Sequence, residues 1–312
     1  FIHYGCSSQS SPPTQAQSFY PTSTPTPDGK KWIESEYKLR KGIFNHKCII
    51  FNNKAYIFAG KTEKDYLSEI WISLDCERWV TETSKNIFSP RICSIEFYFN
   101  NKIWLIGGYD NNKIFQDIWC SENGITWTVK EKNFPYFIKN TEVVFFDGKI
   151  WLIGGEYKKG YSNNILMSED GENWEKIDIE YKKIFTPRKG HRVIVYKNKI
   201  YLLGGEDKDG LKNDVWDSEN GYDWHIVTKN ALFSPRKDFG LTVYKDRIWI
   251  IGGEDKEGVK NDVWWSVNGK NFLCVTKTAS FSPRSKHYVF SFNNKLWVMG
   301  GRDNSTVFND IW

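Results

Sequence analysis

An all-β fold of six four-stranded blades closed into a propeller is predicted by three observations. A hydrophobic pair followed by a small-residue doublet recurs six times: Ile57-Phe58-Ala59-Gly60, Leu105-Ile106-Gly107-Gly108, Leu152-Ile153-Gly154-Gly155, Leu202-Leu203-Gly204-Gly205, Ile250-Ile251-Gly252-Gly253 and Val298-Met299-Gly300-Gly301. The second hydrophobic positions are 48, 47, 50, 48 and 48 residues apart, so one unit repeats over nearly the whole 312-residue chain. Within each unit, short β-branched and aromatic runs alternate with Asn-Gly, Asp-Gly and Asn-Lys turns, as in strands joined by tight hairpins. Four strands in about 48 residues is the size of a propeller blade.

The fourth unit shows each part in order. An apolar run ending in an aromatic, His191 to Tyr196, is the first strand. Asn198-Lys199 turns the chain into a second strand that ends at Gly205. A charged loop leads to Asn213-Asp214-Val215-Trp216 in the third strand, and Ser218 to Trp224 turns into the fourth. No segment has the 3.6-residue period of a long amphipathic helix. The sixth unit stops at Trp312, after its third strand. Asp28-Gly29-Lys30-Lys31-Trp32 matches the Gly-x-x-Trp of the fourth strands, so Asp28 to Glu36 is expected to complete the sixth blade beside Ser305 to Trp312. Residues 28–312 form one propeller domain in this reading, and 1–27 a separate tail.

A Trp 11 residues after the Gly doublet, a Pro-Arg-x-x-His start and a second Trp in the last strand resemble the kelch repeat. The resemblance covers Asp28 to Trp312 and implies a kelch propeller of the galactose-oxidase-like superfamily. Blade packing accounts for the 15 Trp, since flat aromatics fill the wedge between neighbouring sheets.

The tail differs in composition. Of the 21 residues from Ser7 to Pro27, 18 are Ser, Thr, Pro or Gln, and no charge occurs from Phe1 to Pro27. Such a stretch buries too little apolar surface to order itself and reads as a solvated linker. Gly5-Cys6 ahead of it resembles the cleavage site and spacer of a bacterial lipoprotein, which implies that Cys6 carries lipid. His3 stands where that family usually has Leu, and an ordinary linker with one Cys is the alternative. Export to the cell envelope or beyond is expected, with membrane contact only through Cys6.

Formal net charge is +5, from 43 basic and 38 acidic residues interspersed along the chain. That pattern contains no basic stripe for nucleic acid. Cofactors and a metal are not expected. His46, His191 and His287 share one repeat position, and neighbouring backbone carbonyls are their expected partners. The six Cys fall at unrelated repeat positions, against a disulfide framework.

Two residue sets carry the functional reading. Arg91, Arg188, Arg236 and Arg284 recur ahead of the first strand, and Asp117, Asp214, Asp262 and Asp310 recur in the third; each Arg is expected to bridge the acid of its own blade. Any ligand is expected at the face carrying the longer loops between second and third strands, through Tyr109, Asp110, Glu156, Tyr157, Glu206, Asp207, Glu254, Asp255, Arg302 and Asp303. The near-uniform copies favour a monomeric, non-catalytic binding or scaffolding module for a protein or glycan. The alternative is a carbohydrate-active propeller enzyme such as a sialic-acid mutarotase, which would need an acid and a base converging in one pocket.

Overall fold

The computed structural model describes residues 29–82, 87–136, 139–157, 160–180 and 184–312. All regular structure among them is β. Five antiparallel meanders of four strands each form blades. The first comprises β1 (Lys47–Phe51), β2 (Lys54–Phe58), β3 (Ile70–Ser73) and β4 (Val80–Glu82). The second comprises β5 (Ile95–Phe99), β6 (Lys102–Ile106), β7 (Ile118–Ser121) and β8 (Thr128–Glu131). The third comprises β9 (Glu142–Phe146), β10 (Lys149–Tyr157), β11 (Gly160–Ser168) and β12 (Glu175–Ile177). The fourth comprises β13 (Arg192–Tyr196), β14 (Lys199–Asp207), β15 (Gly210–Ser218) and β16 (His225–Thr228). The fifth comprises β17 (Gly240–Val243), β18 (Ile248–Asp255), β19 (Gly258–Ser266) and β20 (Leu273–Thr276). β21 (Tyr288–Phe292) and β22 (Lys295–Met299) form a terminal two-stranded sheet.

The count of complete blades is therefore five, where the repeat predicts six. The segment after β22 is too short to build a ladder: Met299 and Ile311 make a single bridge, and Val298 and Trp312 exchange backbone hydrogen bonds of 2.9 Å. Residues 29–36, expected as a fourth strand, form no regular strand. They do run beside the C-terminus, where the Ser35 N–H donates to Ile311 O at 2.8 Å.

The first strand of every sheet is innermost. β1, β5, β9, β13, β17 and β21 pack side by side in a closed circle, β21 returning to β1. Between sheets lie layers of aromatics, with Trp104, Trp151 and Trp249 of second strands and Trp71 of the third strand β3 all at most 1% exposed. The turn into the fourth strand of the next blade presses on that layer. A Cβ on Gly221 would fall 2.5 Å from the Trp151 ring, so only glycine lets the turn sit there.

A buried guanidinium ties four of the six seams. The Arg188 N–H donates to Ser162 O and Arg188 O accepts from Gly155 N, both 3.0 Å and both in the preceding blade. Its side chain turns into its own blade. Nη1 reaches Asp214 Oδ1 at 2.7 Å and Gly204 O at 2.9 Å, and Nη2 reaches Asp214 Oδ2 at 2.9 Å. Trp216 Nε1 donates to the same carboxylate at 2.9 Å. Arg91–Asp117, Arg236–Asp262 and Arg284–Asp310 repeat the geometry at 2.6, 2.7 and 2.6 Å. In the first blade, Ile43 keeps the backbone bonds, to Phe308 O and from Gly301 N, without an ion pair. The acid there, Glu69, takes Lys41 at 2.8 Å instead. The third blade has Asn164 at the acid's position; Ile138, its residue at the Arg position, lies outside the described residues.

Arg188 is 1% exposed, so removing its head leaves Asp214 half-buried and uncompensated. Arg188→Met is expected to lower the unfolding free energy by about 3–5 kcal/mol. Urea titration followed by Trp fluorescence measures this, and a loss under about 1 kcal/mol would mean that the pair is dispensable.

Candidate binding site at the channel mouth

The innermost strands leave a central channel, and each strand enters it through a left-handed residue. Asn45, Cys93, Asn140, Asp238 and Lys286 have φ of 52, 53, 53, 53 and 56°, and Gly190 completes the set at 62°. The kink turns backbone groups round the circle: Asn45 N donates to Lys286 O at 3.0 Å, Lys286 N to Asp238 O and Asp238 N to Gly190 O, each at 2.9 Å. The mouth on this side is a rigid collar.

Just outside the collar, the residue after each small-residue doublet pairs by backbone with the residue preceding the kink. The pairs are Lys61 with Phe44, Tyr109 with Ile92, Glu156 with Lys139, Glu206 with Lys189, Glu254 with Lys237, and Arg302 with Ser285. This brings Tyr109, Glu156, Glu206, Glu254 and Arg302 of the expected ligand-binding set onto one rim. Glu156 takes Lys139 at 2.7 Å and Lys189 of the next blade at 2.9 Å. Lys237 takes Glu206 at 2.9 Å and Glu254 at 3.8 Å. Elsewhere on the rim the cations lie over rings: Lys139 over Tyr109 at 4.6 Å, Lys61 over Tyr66 at 4.4 Å and Arg302 over Phe44 at 5.2 Å. Burial pushes the Glu156 carboxyl upward, but the two lysines outweigh it and hold the group below its usual range.

The remaining expected ligand residues serve their own loops. Asp110 Oδ1 accepts from Asn112 N and Lys113 N at 2.7 and 2.9 Å. Asp303 Oδ1 accepts from Ser305 N and Thr306 N at 2.8 and 2.6 Å. Asp207 is buried and takes Thr186 Oγ1 and Lys212, at 2.7 and 3.1 Å. Asp255 does the same with Ser234 Oγ and Lys260, at 2.8 and 3.2 Å. Of Tyr157 the structure describes the backbone alone, paired with Gly160. Cys6 lies outside the described residues.

The family model for the KLHDC2/KLHL20/DRC7 Kelch-repeats domain matches residues 28–205 and again 140–312. The chain belongs to this Kelch-repeat family. None of the curated proteins matches it.

Inside the Kelch channel is a cavity of about 360 Å³ lined by all six inner strands. Its wall carries charges that interrupt otherwise apolar first strands: Lys47, Glu96, Glu142 and Arg192, with Tyr288. Arg192 Nη1 meets Glu142 Oε1 at 2.7 Å across two blades, and its Nε donates to Phe239 O at 2.7 Å. The loop-centred reading of the sequence missed this set and the rim lysines. A charge inside a strand-period apolar run was the signal for the first, and the Arg-Lys pairs 188–189 and 236–237 for the second.

The three repeat-related histidines do not converge. His191 Nε2 bonds Ile153 O and His287 Nε2 bonds Ile251 O, both 3.1 Å, in different seams. His46 is buried where a Cβ on Gly300 would touch it, and among the described residues neither of its ring nitrogens has a partner. Burial pulls His46 down to about 3 and His191 to about 4. Among the described residues, no cluster of His, Cys, Asp and Glu is placed to hold a metal, and the five described Cys are free thiols. One thiol, Cys93, hydrogen-bonds Tyr109; burial pushes it up to about 12.

Glu96 is pushed up to about 7 by burial, against the charges of Lys47 and Arg91 and a hydrogen bond from Ser94. Its folded value is raised, so its contribution is fully present below about pH 4.5 and is lost as pH rises through 7. Glu96→Gln is therefore expected to stabilise the protein more at pH 8 than at pH 5, by up to roughly 3 kcal/mol. Paired denaturation curves at the two pH values test this, and an increment independent of pH would refute it.

Proposed function

We propose that this Kelch propeller is a non-catalytic binding module whose rim, from Lys61 round to Arg302, meets a protein partner. The observation that carries the reading is the rim's composition. Lysines and glutamates of neighbouring blades are cross-paired and fixed by backbone bonds, while Lys61 and Arg302 lie against rings and, among the described residues, have no carboxylate partner. A preformed array of this kind selects by charge complementarity. It suits proton transfer poorly, because Glu156 is held ionised well below neutrality and Lys189 and Lys237 are held charged above it.

Ring closure belongs to the same proposal: the terminal sheet, residues 309–312 and the segment from Gly29 act together as a sixth blade. A Cβ on Gly29 would fall 2.5 Å from Trp249, as one on Gly221 would from Trp151. Trp32 Nε1 donates to Gly29 O at 2.9 Å, as Trp174 Nε1 does to Gly171 O at 3.0 Å. Deleting 29–36 should lower Tm by several degrees at least; an unchanged Tm would defeat the closure. Placement at the cell envelope is a further part of the proposal, supported only by the uncharged Ser/Thr/Pro-rich stretch.

The rim is tested by capture from envelope extract with wild-type protein, Lys61→Glu/Arg302→Glu, and Lys149→Glu at the start of β10. The rim variant should keep its Tm and lose the partners that wild-type and K149E retain. Equal capture by all three would reject the rim as the contact surface.

A further inference from the structure

The channel cavity combines two features that the rim does not use. Lys47 lines it from β1, and its charge acts on both Glu96 and Glu142. Yet among the described residues its ammonium forms no ion pair or hydrogen bond. Arg192 is already committed to Glu142 and Phe239 O. Tyr288 on β21, the strand beside β1, also lines the cavity, and among the described residues its hydroxyl has no hydrogen-bond partner. Two donors of adjacent strands thus stand open on one wall, one of them cationic.

The second feature is apolar. Ile50, Tyr98 and Phe145, at one repeat position in three successive blades, line the same cavity and are 36, 38 and 40% exposed. Their rings are braced from behind, Tyr98 by Phe51 at 5.2 Å and Phe145 by Phe97 at 5.7 Å. A supported but uncovered apolar shelf inside a concave site is the usual seat of a ligand's hydrocarbon part. Ile50 lies three positions along β1 from Lys47, about 10 Å along the strand.

We propose that the channel binds a small free organic carboxylate, its anionic head on Lys47 and Tyr288 and its apolar end on the Ile50–Tyr98–Phe145 shelf. The span matches a compact aryl-alkyl acid, and the cavity of about 360 Å³ holds one such molecule. The sign follows from Lys47: an ammonium ligand would meet it head-on, and a neutral alcohol would leave it unpaired. The proposal is independent of the rim reading, because neither Lys47 nor the shelf belongs to the rim.

Calorimetric titration of the full chain with 4-phenylbutyrate is the test, with 4-phenylbutylamine and 4-phenylbutanol as matched probes. The acid should saturate one site with Kd near or below about 1 mM, and the other two should bind at least tenfold more weakly. Lys47→Gln should weaken the acid at least tenfold and Tyr288→Phe about threefold. Lys113→Gln on an outer loop should change nothing, with Tm confirming that all variants fold. No saturable binding of the acid, binding of the amine or alcohol equal to the acid, or an unaffected K47Q would each overturn the site. A tripeptide ending in Phe offers the same carboxylate and ring on a chain end. Tighter binding of that peptide than of the acid would overturn the free-acid assignment.

Discussion

The buried arginine ahead of four of the six innermost strands does two things at once, and the ring depends on both. Its backbone is bonded to the blade before it, and its guanidinium to a carboxylate, a carbonyl and a ring in its own blade. A guanidinium at 1% exposure is tolerable only with its donors satisfied, so the pair fixes the angle between two sheets as well as their contact. Hydrophobic packing between blades supplies the larger driving force, but it is non-directional. The arginine sets the same wedge between sheets at the four seams that carry it.

That regularity has a consequence for function. With seams fixed, the kinked residues at the strand entries form a collar, and the side chains just outside it keep their spacing round the rim. Loops that look like ligand carriers in the sequence prove partly self-absorbed: the Asp of Glu-Asp at 206–207 folds back on Thr186 and Lys212, while the Glu faces the mouth. Adjacent residues on a strand point to opposite faces, so one of each pair is available for recognition and the other for holding the loop.

Most of the fold was legible because each unit repeats its own evidence. One Gly-Gly says little; five in register after an Ala-Gly variant, with a Trp 11 residues on in five of the six units, define the sheet meander and the partner of each Arg. The last unit was misjudged in detail. Its motif residues are present, at Gly29 and Trp32 and again at Asp310 and Trp312, but a motif reports side-chain contacts, and only an unbroken ladder makes a strand. The site was less legible, for a related reason. Repeat analysis draws attention to what recurs, whereas the channel wall is made of what does not: Lys47, Glu142, Arg192 and Tyr288 share one repeat position and have almost nothing else in common. Which of them meet depends on the closure of the circle, a property absent from any single unit.

The uneven distribution of the ion pairs gives the circle a mechanical grain. The arginine is replaced by Ile43 where the terminal sheet meets the first blade, and the sequence has Ile138 where the second meets the third. Among the described residues at this position, Ile43 is the one without the clamp, so the hoop is least restrained where the terminal sheet meets the first blade. A load on the hoop is relieved there first. Lys47 stands on the first-blade side of that joint and Tyr288 on the terminal-sheet side, so the bore of the channel is gauged by two residues that flank the place where it yields.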